Sequence, residues 1–161
     1  MSTDLIVMGL GYVGLPLARA ATASGLSVVG FDVSPRVVQD LNAGRSHVDD
    51  VTDDDVRRML EKGFRATAAP ADLAGARTYV ICVPTPLSAD GAPDLRAVVS
   101  ATELIAPHLS PGALVVLEST SFPGTTEEVV QPILEQGSQL KAGPDFSLAY
   151  HRLALDWAAD R

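Results

Sequence analysis

An α/β fold, with a doubly wound and mainly parallel sheet between two helical layers (α/β/α), is what this sequence predicts. Short, continuously apolar runs alternate with stretches of helical spacing, the pattern of successive βαβ units. The apolar runs lack polar alternation, so both faces of the sheet they build should be covered. At 161 residues, 47% hydrophobic and 20% charged, the chain is sized for one domain with its own core.

Leu5-Ile6-Val7-Met8 is the first such run, and it ends at glycine. Tyr12 to Ser24 is rich in Ala and Leu at helical spacing and stops at Gly25, a natural C-cap. Val28-Val29-Gly30-Phe31-Asp32 is a second strand closed by an acid. Pro35 stands where a helix begins, and Val37, Val38 and Leu41 give that helix an apolar side up to Gly44. Thr52-Asp53-Asp54-Asp55 reads as a capped helix start with acids at the positive end of the dipole, running to Lys62-Gly63. Phe64 to Thr67 is a short third strand, and Thr78 to Val83 is a clear fourth. Pro93-Asp94 opens a helix through His108, Ala113 to Leu117 is a fifth strand, and Gly124 to Gln136 is a further helix. From Ser138 onward, Trp157 and scattered leucines offer no strand–loop–helix continuation. The expected division is therefore a domain over 1–146 and a divergent tail over 147–161.

The formal charge of −8, with no cluster of Lys and Arg, argues against a nucleic-acid or anionic-membrane partner. A phosphate-bearing small molecule stays open, because helix-terminal N–H groups hold phosphate without a side-chain cation. Cys82 is the sole cysteine, so no intrachain disulfide forms and a reducing cytoplasm is the expected compartment. The N-terminus carries no basic n-region or long apolar h-region, and no apolar run approaches the ~20 residues of a membrane span. His47, His108 and His151 show no metal-ligand spacing, so no metal is expected.

The chemistry concentrates at Gly9-Leu10-Gly11-Tyr12-Val13-Gly14, which fits G-x-G-x-x-G. The pattern alone is weak. Here it follows a strand, opens a helix and is answered by Asp32, eighteen residues after Gly14 at the end of the next strand, the full context of a dinucleotide site in a Rossmann-type fold. Gly9 would permit the tight turn, Gly11 the approach of a pyrophosphate, and Gly14 close packing of helix on strand. The helix start, with Tyr12 and Val13, would offer N–H donors to the pyrophosphate. Asp32 would accept from the ribose hydroxyls and repel a 2′-phosphate, which favours NAD over NADP, while Arg36 four residues on works against that preference. The bland alternative is glycines that only shape a turn and an Asp32 that only caps a helix.

Four segments extend the motif. They are Gly9 to Ala18 (GLGYVGLPLA), Gly30-Phe31-Asp32, Val83-Pro84-Thr85-Pro86 with Pro93-Asp94-Leu95, and Glu118 to Glu128 (ESTSFPGTTEE). In this order, spanning Leu5 to Phe146, they resemble the UDP-glucose/GDP-mannose dehydrogenase family. Gly44 to Val48 and the 83–95 loop look most like its branch that oxidises UDP-N-acetylhexosamines. The resemblance implies oxidation of the C6 alcohol of a nucleotide sugar to a carboxylate with two NAD, as in polysaccharide biosynthesis. A cysteine in a later domain would form a thiohemiacetal and then a thioester that water hydrolyses. It places Val83, Pro84 and Thr85 along the cofactor near the adenosine ribose and pyrophosphate, Ser119 and Thr120 beside the nicotinamide, and Thr120 on the catalytic water. Plain competitors remain: Pro84 and Pro86 as turn stiffeners, Thr120 and Pro123 as a helix cap, and Glu127 and Glu128 as first-turn acids.

Cys82 lies within an apolar strand and does not match the family's nucleophile, which belongs to a Gly-Gly-His-Cys-like segment far downstream. After Ala149 the family continues with a Ser-Pro-Glu-Arg-like segment, whereas this chain reads Tyr150-His151-Arg152-Leu153 and on to Arg161. A truncated or frameshifted product is the favoured reading, with a foreign tail or a stand-alone domain as alternatives. A nucleotide sugar would be a partner only once a downstream domain is supplied. Two rival functions stay open: a self-contained NAD-binding or regulatory module, and an oxidoreductase of the 6-phosphogluconate or β-hydroxyacid dehydrogenase type. A sheet edge and helices that normally meet a second domain also leave homo-oligomerisation open.

Overall fold

A computed structural model of the protein describes residues 2–119, 121 and 124–151. Its strands are β1 (Leu5–Met8), β2 (Val28–Phe31), β3 (Arg65–Thr67), β4 (Thr78–Ile81), β5 (Leu114–Leu117) and β6 (Ser147–Tyr150). Its α-helices are α1 (Gly14–Ala23), α2 (Pro35–Asn42), α3 (Asp53–Glu61), α4 (Arg96–Ile105) and α5 (Gln131–Ser138). The strands form one sheet in the order β3-β2-β1-β4-β5-β6, and every pairing within it is parallel. This is the predicted doubly wound, Rossmann-type α/β fold.

The uninterrupted apolar runs divide their side chains between two cores. Leu5 and Val7 of β1 join Leu15, Leu41, Val56 and Met59 under α1, α2 and α3. Ile6 and Met8 point the other way and join Val98, Ile105 and Leu134 under α4 and α5. Successive residues of a strand face opposite sides, so a strand covered on both faces has no position for a polar residue. The chain runs to one side of β1 through β2 and β3, then to the other through β4, β5 and β6. The order reverses between β1 and β4, and a crevice opens there at the strands' carboxyl ends.

Local chemistry sets the helix starts. Pro16 occupies the third position of α1, in the first turn, where its fixed φ suits the start of a helix. Ser34 caps α2, its Oγ accepting from the Val37 N–H at 3.4 Å. Thr52 and Asp55 form a reciprocal capping box on α3: the Asp55 N–H donates to Thr52 Oγ1 at 3.1 Å, and the Thr52 N–H to Asp55 Oδ2 at 3.0 Å.

Three elements depart from expectation. The helix expected from Pro93-Asp94 begins at Arg96, because residues 86–94 close on themselves first. The Asp94 N–H donates to the Pro86 carbonyl at 2.8 Å, and Asp94 Oδ1 then accepts from the Arg96 N–H at 3.0 Å. The helix expected from Gly124 opens as a π-helical turn over Thr126–Val130 before α5 continues it. Beyond Ser138, where the sequence offers no strand–loop–helix continuation, the structure has a strand, β6, which pairs Ser147 with Leu114 and Tyr150 with Leu117. As a mostly exposed edge strand, β6 is held by main-chain pairing and shows no continuous apolar run. The sheet thus continues past residue 146, and residues 152–161 of the segment read as a tail lie outside the described residues.

Candidate functional site

A cleft of about 690 Å³ opens at the carboxyl ends of β1, β2, β4 and β5. Its floor is the turn after β1. Gly9 stands there at φ +94°, a conformation that costs other L-residues strain, and a Cβ on it would lie 3.0 Å from the Cys82 carbonyl oxygen. A Cβ on Gly14 would fall 1.8 Å from the Gly9 carbonyl oxygen, so the missing side chain is what lets α1 sit against β1. A Cβ on Gly11 would meet nothing within 4 Å, and that open side faces the cleft. Each glycine therefore has a different physical reason to be there.

Helix α1 starts at this turn without a side-chain cap. Among the described residues, the N–H groups of Gly11, Tyr12 and Val13 have no acceptor. Uncapped donors at the positive end of a helix dipole suit an anionic group. Asp32 stands beside them. Its Oδ2 accepts from the Leu10 N–H at 3.0 Å and its Oδ1 from the Ser34 N–H at 2.9 Å. Each carboxylate oxygen keeps a lone pair for a further donor. The residues present thus fit a dinucleotide: donors for a diphosphate next to an acceptor for ribose hydroxyls.

The fold brings most of the predicted residues together. Gly9, Gly11, Tyr12, Val13 and Asp32 line the cleft from one side, and Val83, Pro84, Thr85 and Ser119 from the other. Ser119 is buried, and its hydroxyl lies 2.8 Å from the Val83 carbonyl and 3.3 Å from that of Ile81, binding the end of β5 to the loop after β4. Gly14 lies behind the lining as a packing residue. Arg36 is not among the lining residues: its side chain is 92% exposed and reaches toward Asp40 at 3.8 Å. Thr120 lies outside the described residues.

Some lining residues escaped the sequence reading. Val33, 81% exposed, borders the cleft directly after Asp32. Ala97, Ser100, Ala101 and Leu104 present one face of α4 to it, and their i, i+3, i+4, i+7 spacing was the available signal. Glu118 also lines the cleft, with Oε1 3.4 Å from His151 Nδ1. Cys82 borders it too, but burial, reinforced by the Glu118 carboxylate, pushes its thiol up to about 12. It is a protonated, inert core thiol at neutral pH. Among the described residues no three His, Cys, Asp or Glu side chains are placed so that they could hold a metal ion together. No helix among them is long and apolar enough to cross a membrane.

The family model "UDP-glucose/GDP-mannose dehydrogenase family, NAD binding domain" matches residues 3–152. The chain belongs to this family. NAD is the cofactor of the domain, and the match decides among the glycine-fingerprint oxidoreductases that the sequence left open. A UDP-N-acetyl-D-mannosamine dehydrogenase of Pyrococcus horikoshii is 39% identical over 148 residues, covering 91% of this chain and 35% of the relative. The solved UDP-D-ManNAc dehydrogenase of that organism superposes with a TM-score of 0.88 at 38% identity, over 94% of this chain and 36% of that one. A ternary complex of GDP-mannose dehydrogenase from Pseudomonas aeruginosa superposes with a TM-score of 0.87 at 29% identity, over 93% of this chain and 36% of that one. The chain therefore spans about a third of the length of these dehydrogenases.

Proposed function

We propose that this chain is the NAD-binding part of a nucleotide-sugar 6-dehydrogenase acting on UDP-N-acetylhexosamines, and that by itself it binds NAD without turning over substrate. The observation that carries the reading is the cleft floor, where three unclaimed amides and an open glycine side lie next to Asp32. The sugar class is supported by the relatives named UDP-N-acetyl-D-mannosamine dehydrogenase and by the Gly44 to Val48 segment.

Bound NAD supplies the hydride acceptor for oxidation of an alcohol carbon. The chain's own residues bind and orient it. The Gly11, Tyr12 and Val13 amides hold the diphosphate, and the free lone pairs of Asp32 take the ribose hydroxyls. Val83, Pro84 and Thr85 line the opposite wall, and Ser119 fixes that wall by tying β5 to the Val83 carbonyl. By the family's pattern Thr120 holds the catalytic water. The burial and raised pKa of Cys82 speak against it as the nucleophile, and it is the single cysteine of these 161 residues.

Titration calorimetry tests the cofactor assignment. NAD binds at least about tenfold more tightly than NADP, because the Asp32 carboxylate repels a 2′-phosphate; equal or reversed affinities reject it. NADH absorbance with UDP-N-acetylmannosamine or UDP-N-acetylglucosamine stays at background, and turnover of either sugar would overturn the assignment of the nucleophile to another segment.

A further inference from the structure

We infer that Gly30, Phe31 and Asp32 of the second strand act as a clamp on the glycine turn, with Leu10 as the gripped residue, so that Gly30 and Leu10 are positioning residues for NAD. This rests on the NAD reading of the cleft and adds residues that the reading does not use.

Three consecutive residues each take one feature of the turn. The Phe31 carbonyl accepts from the Gly9 N–H at 2.8 Å, extending the β1–β2 ladder by one step. Asp32 Oδ2 accepts from the Leu10 N–H at 3.0 Å. Gly30 makes room for the Leu10 side chain: a Cβ there would lie 2.6 Å from Leu10 Cδ2, 2.8 Å from Leu10 Cδ1 and 3.1 Å from Phe64 Cε2. Leu10 is fully buried in the cluster that holds Leu5, Val7, Leu15 and Phe64, at the edge of the cleft, so a shift of its side chain disturbs packed neighbours or the cleft wall. Its backbone joins Gly9 to Gly11, the residue whose amide starts the row of unclaimed donors.

The middle residue of the G-x-G turn is thus held by its side chain in a notch and by its amide on a carboxylate. A displaced Leu10 moves the donors that follow it. Asp32 then has two tasks, accepting from the ribose and holding the turn, and Gly30 acts on NAD affinity although it does not line the cleft.

The test compares Gly30→Ala, Leu10→Ala and the double variant of the 161-residue chain, by calorimetry with NAD and by amide hydrogen exchange at Leu10. Gly30→Ala weakens NAD binding by about tenfold or more, because an overpacked notch pushes Leu10 outward. The double variant regains most of that loss, since truncating the leucine vacates the space that the added methyl group needs. A general loss of stability predicts the opposite, with the double variant worse than either single one. If Gly30→Ala does not fold, Leu10→Ala alone carries the test: it loses exchange protection at the substituted residue and binds NAD several-fold more weakly while remaining folded. Gly30→Ala binding NAD as wild type does, no recovery in the double variant, or unchanged protection and affinity in Leu10→Ala overturns the clamp. A wild-type chain that fails to bind NAD at all overturns the cofactor reading instead, and exchange at Leu10 still reports on the clamp.

Discussion

Replacing Gly14 by alanine separates the architecture of the turn from its chemistry. The new Cβ would lie 1.8 Å from the Gly9 carbonyl oxygen, 2.9 Å from its carbon and 3.2 Å from Val7 Cγ1. Reaching even 3.0 Å from that oxygen requires α1 to move by about 1.2 Å, and the opposing atom is backbone that no rotamer change can clear. Overpacking of this kind costs about 1–3 kcal/mol. Alanine's helix propensity returns up to about 1 kcal/mol, and less at a first helical position. A net loss of about 1–2 kcal/mol lowers Tm by roughly 2–8 °C in a domain of this size. The shift also carries the Gly11, Tyr12 and Val13 amides away from the position proposed for the diphosphate. Loss of one charge-assisted hydrogen bond, about 1.5–3 kcal/mol, weakens NAD by roughly 10- to 100-fold. Thermal melting followed by circular dichroism and calorimetry read the two effects separately. A Gly14→Ala chain that melts within 1–2 °C of wild type, where about 2–4 °C per kcal/mol is expected, and still binds NAD normally would refute the packing argument.

Gly11→Ala should do the reverse, because its Cβ meets nothing in the protein and stands in the position proposed for the diphosphate. Tm is held or raised by up to about 1 kcal/mol of reduced unfolded-state entropy while NAD binding is lost; retained affinity would show that the diphosphate lies elsewhere. Stability should fall as the pH drops below about 5 toward 2. The carboxyls of Asp40, Asp72 and Asp94 are held low by hydrogen bonds from Arg45, Arg65 and Arg96, that of Asp94 down to about 2. Asp55 and Glu135 are held low first by the backbone N–H groups of Thr52 and Ala142. Their folded pKa values lie below the unfolded ones, so the unfolded chain binds more protons in that window and stability present at neutral pH is lost on acidification. A Tm that stays flat from pH 6 to pH 2.5, a range of about the stated window, contradicts this. Cys82, with its thiol pushed up to about 12 by burial and then by Glu118, should resist iodoacetamide at neutral pH in the folded chain. Alkylation at the rate of a free cysteine would mean that the strand opens or that the thiol is exposed.

The sequence by itself determined the fold class, the glycine turn and the identity of its acidic partner. These are written in local chemistry: apolar runs too uniform for a half-exposed strand, glycines at fixed offsets, and a carboxylate at the next strand's end. The capping box at Thr52 and Asp55 was legible for the same reason, since both partners lie within one turn. Tertiary structure decided what depends on residues far apart in the chain. Only the β1–β4 pairing brings Val83, Pro84 and Thr85 opposite Tyr12. Only the direction of α4 turns Ala97 and Ser100 to the cleft, and only the placement of the first turn of α2 leaves Arg36 in solvent, away from the lining. The edge strand β6 was invisible because main-chain hydrogen bonds to β5 hold it, and these leave no mark on side-chain pattern. Gly30 reads as a mere gap in an apolar run until the Leu10 side chain is seen to fill the space its missing Cβ leaves open. A residue's reason for being glycine lies in whichever atom comes closest, and that atom is chosen by packing rather than by sequence neighbourhood.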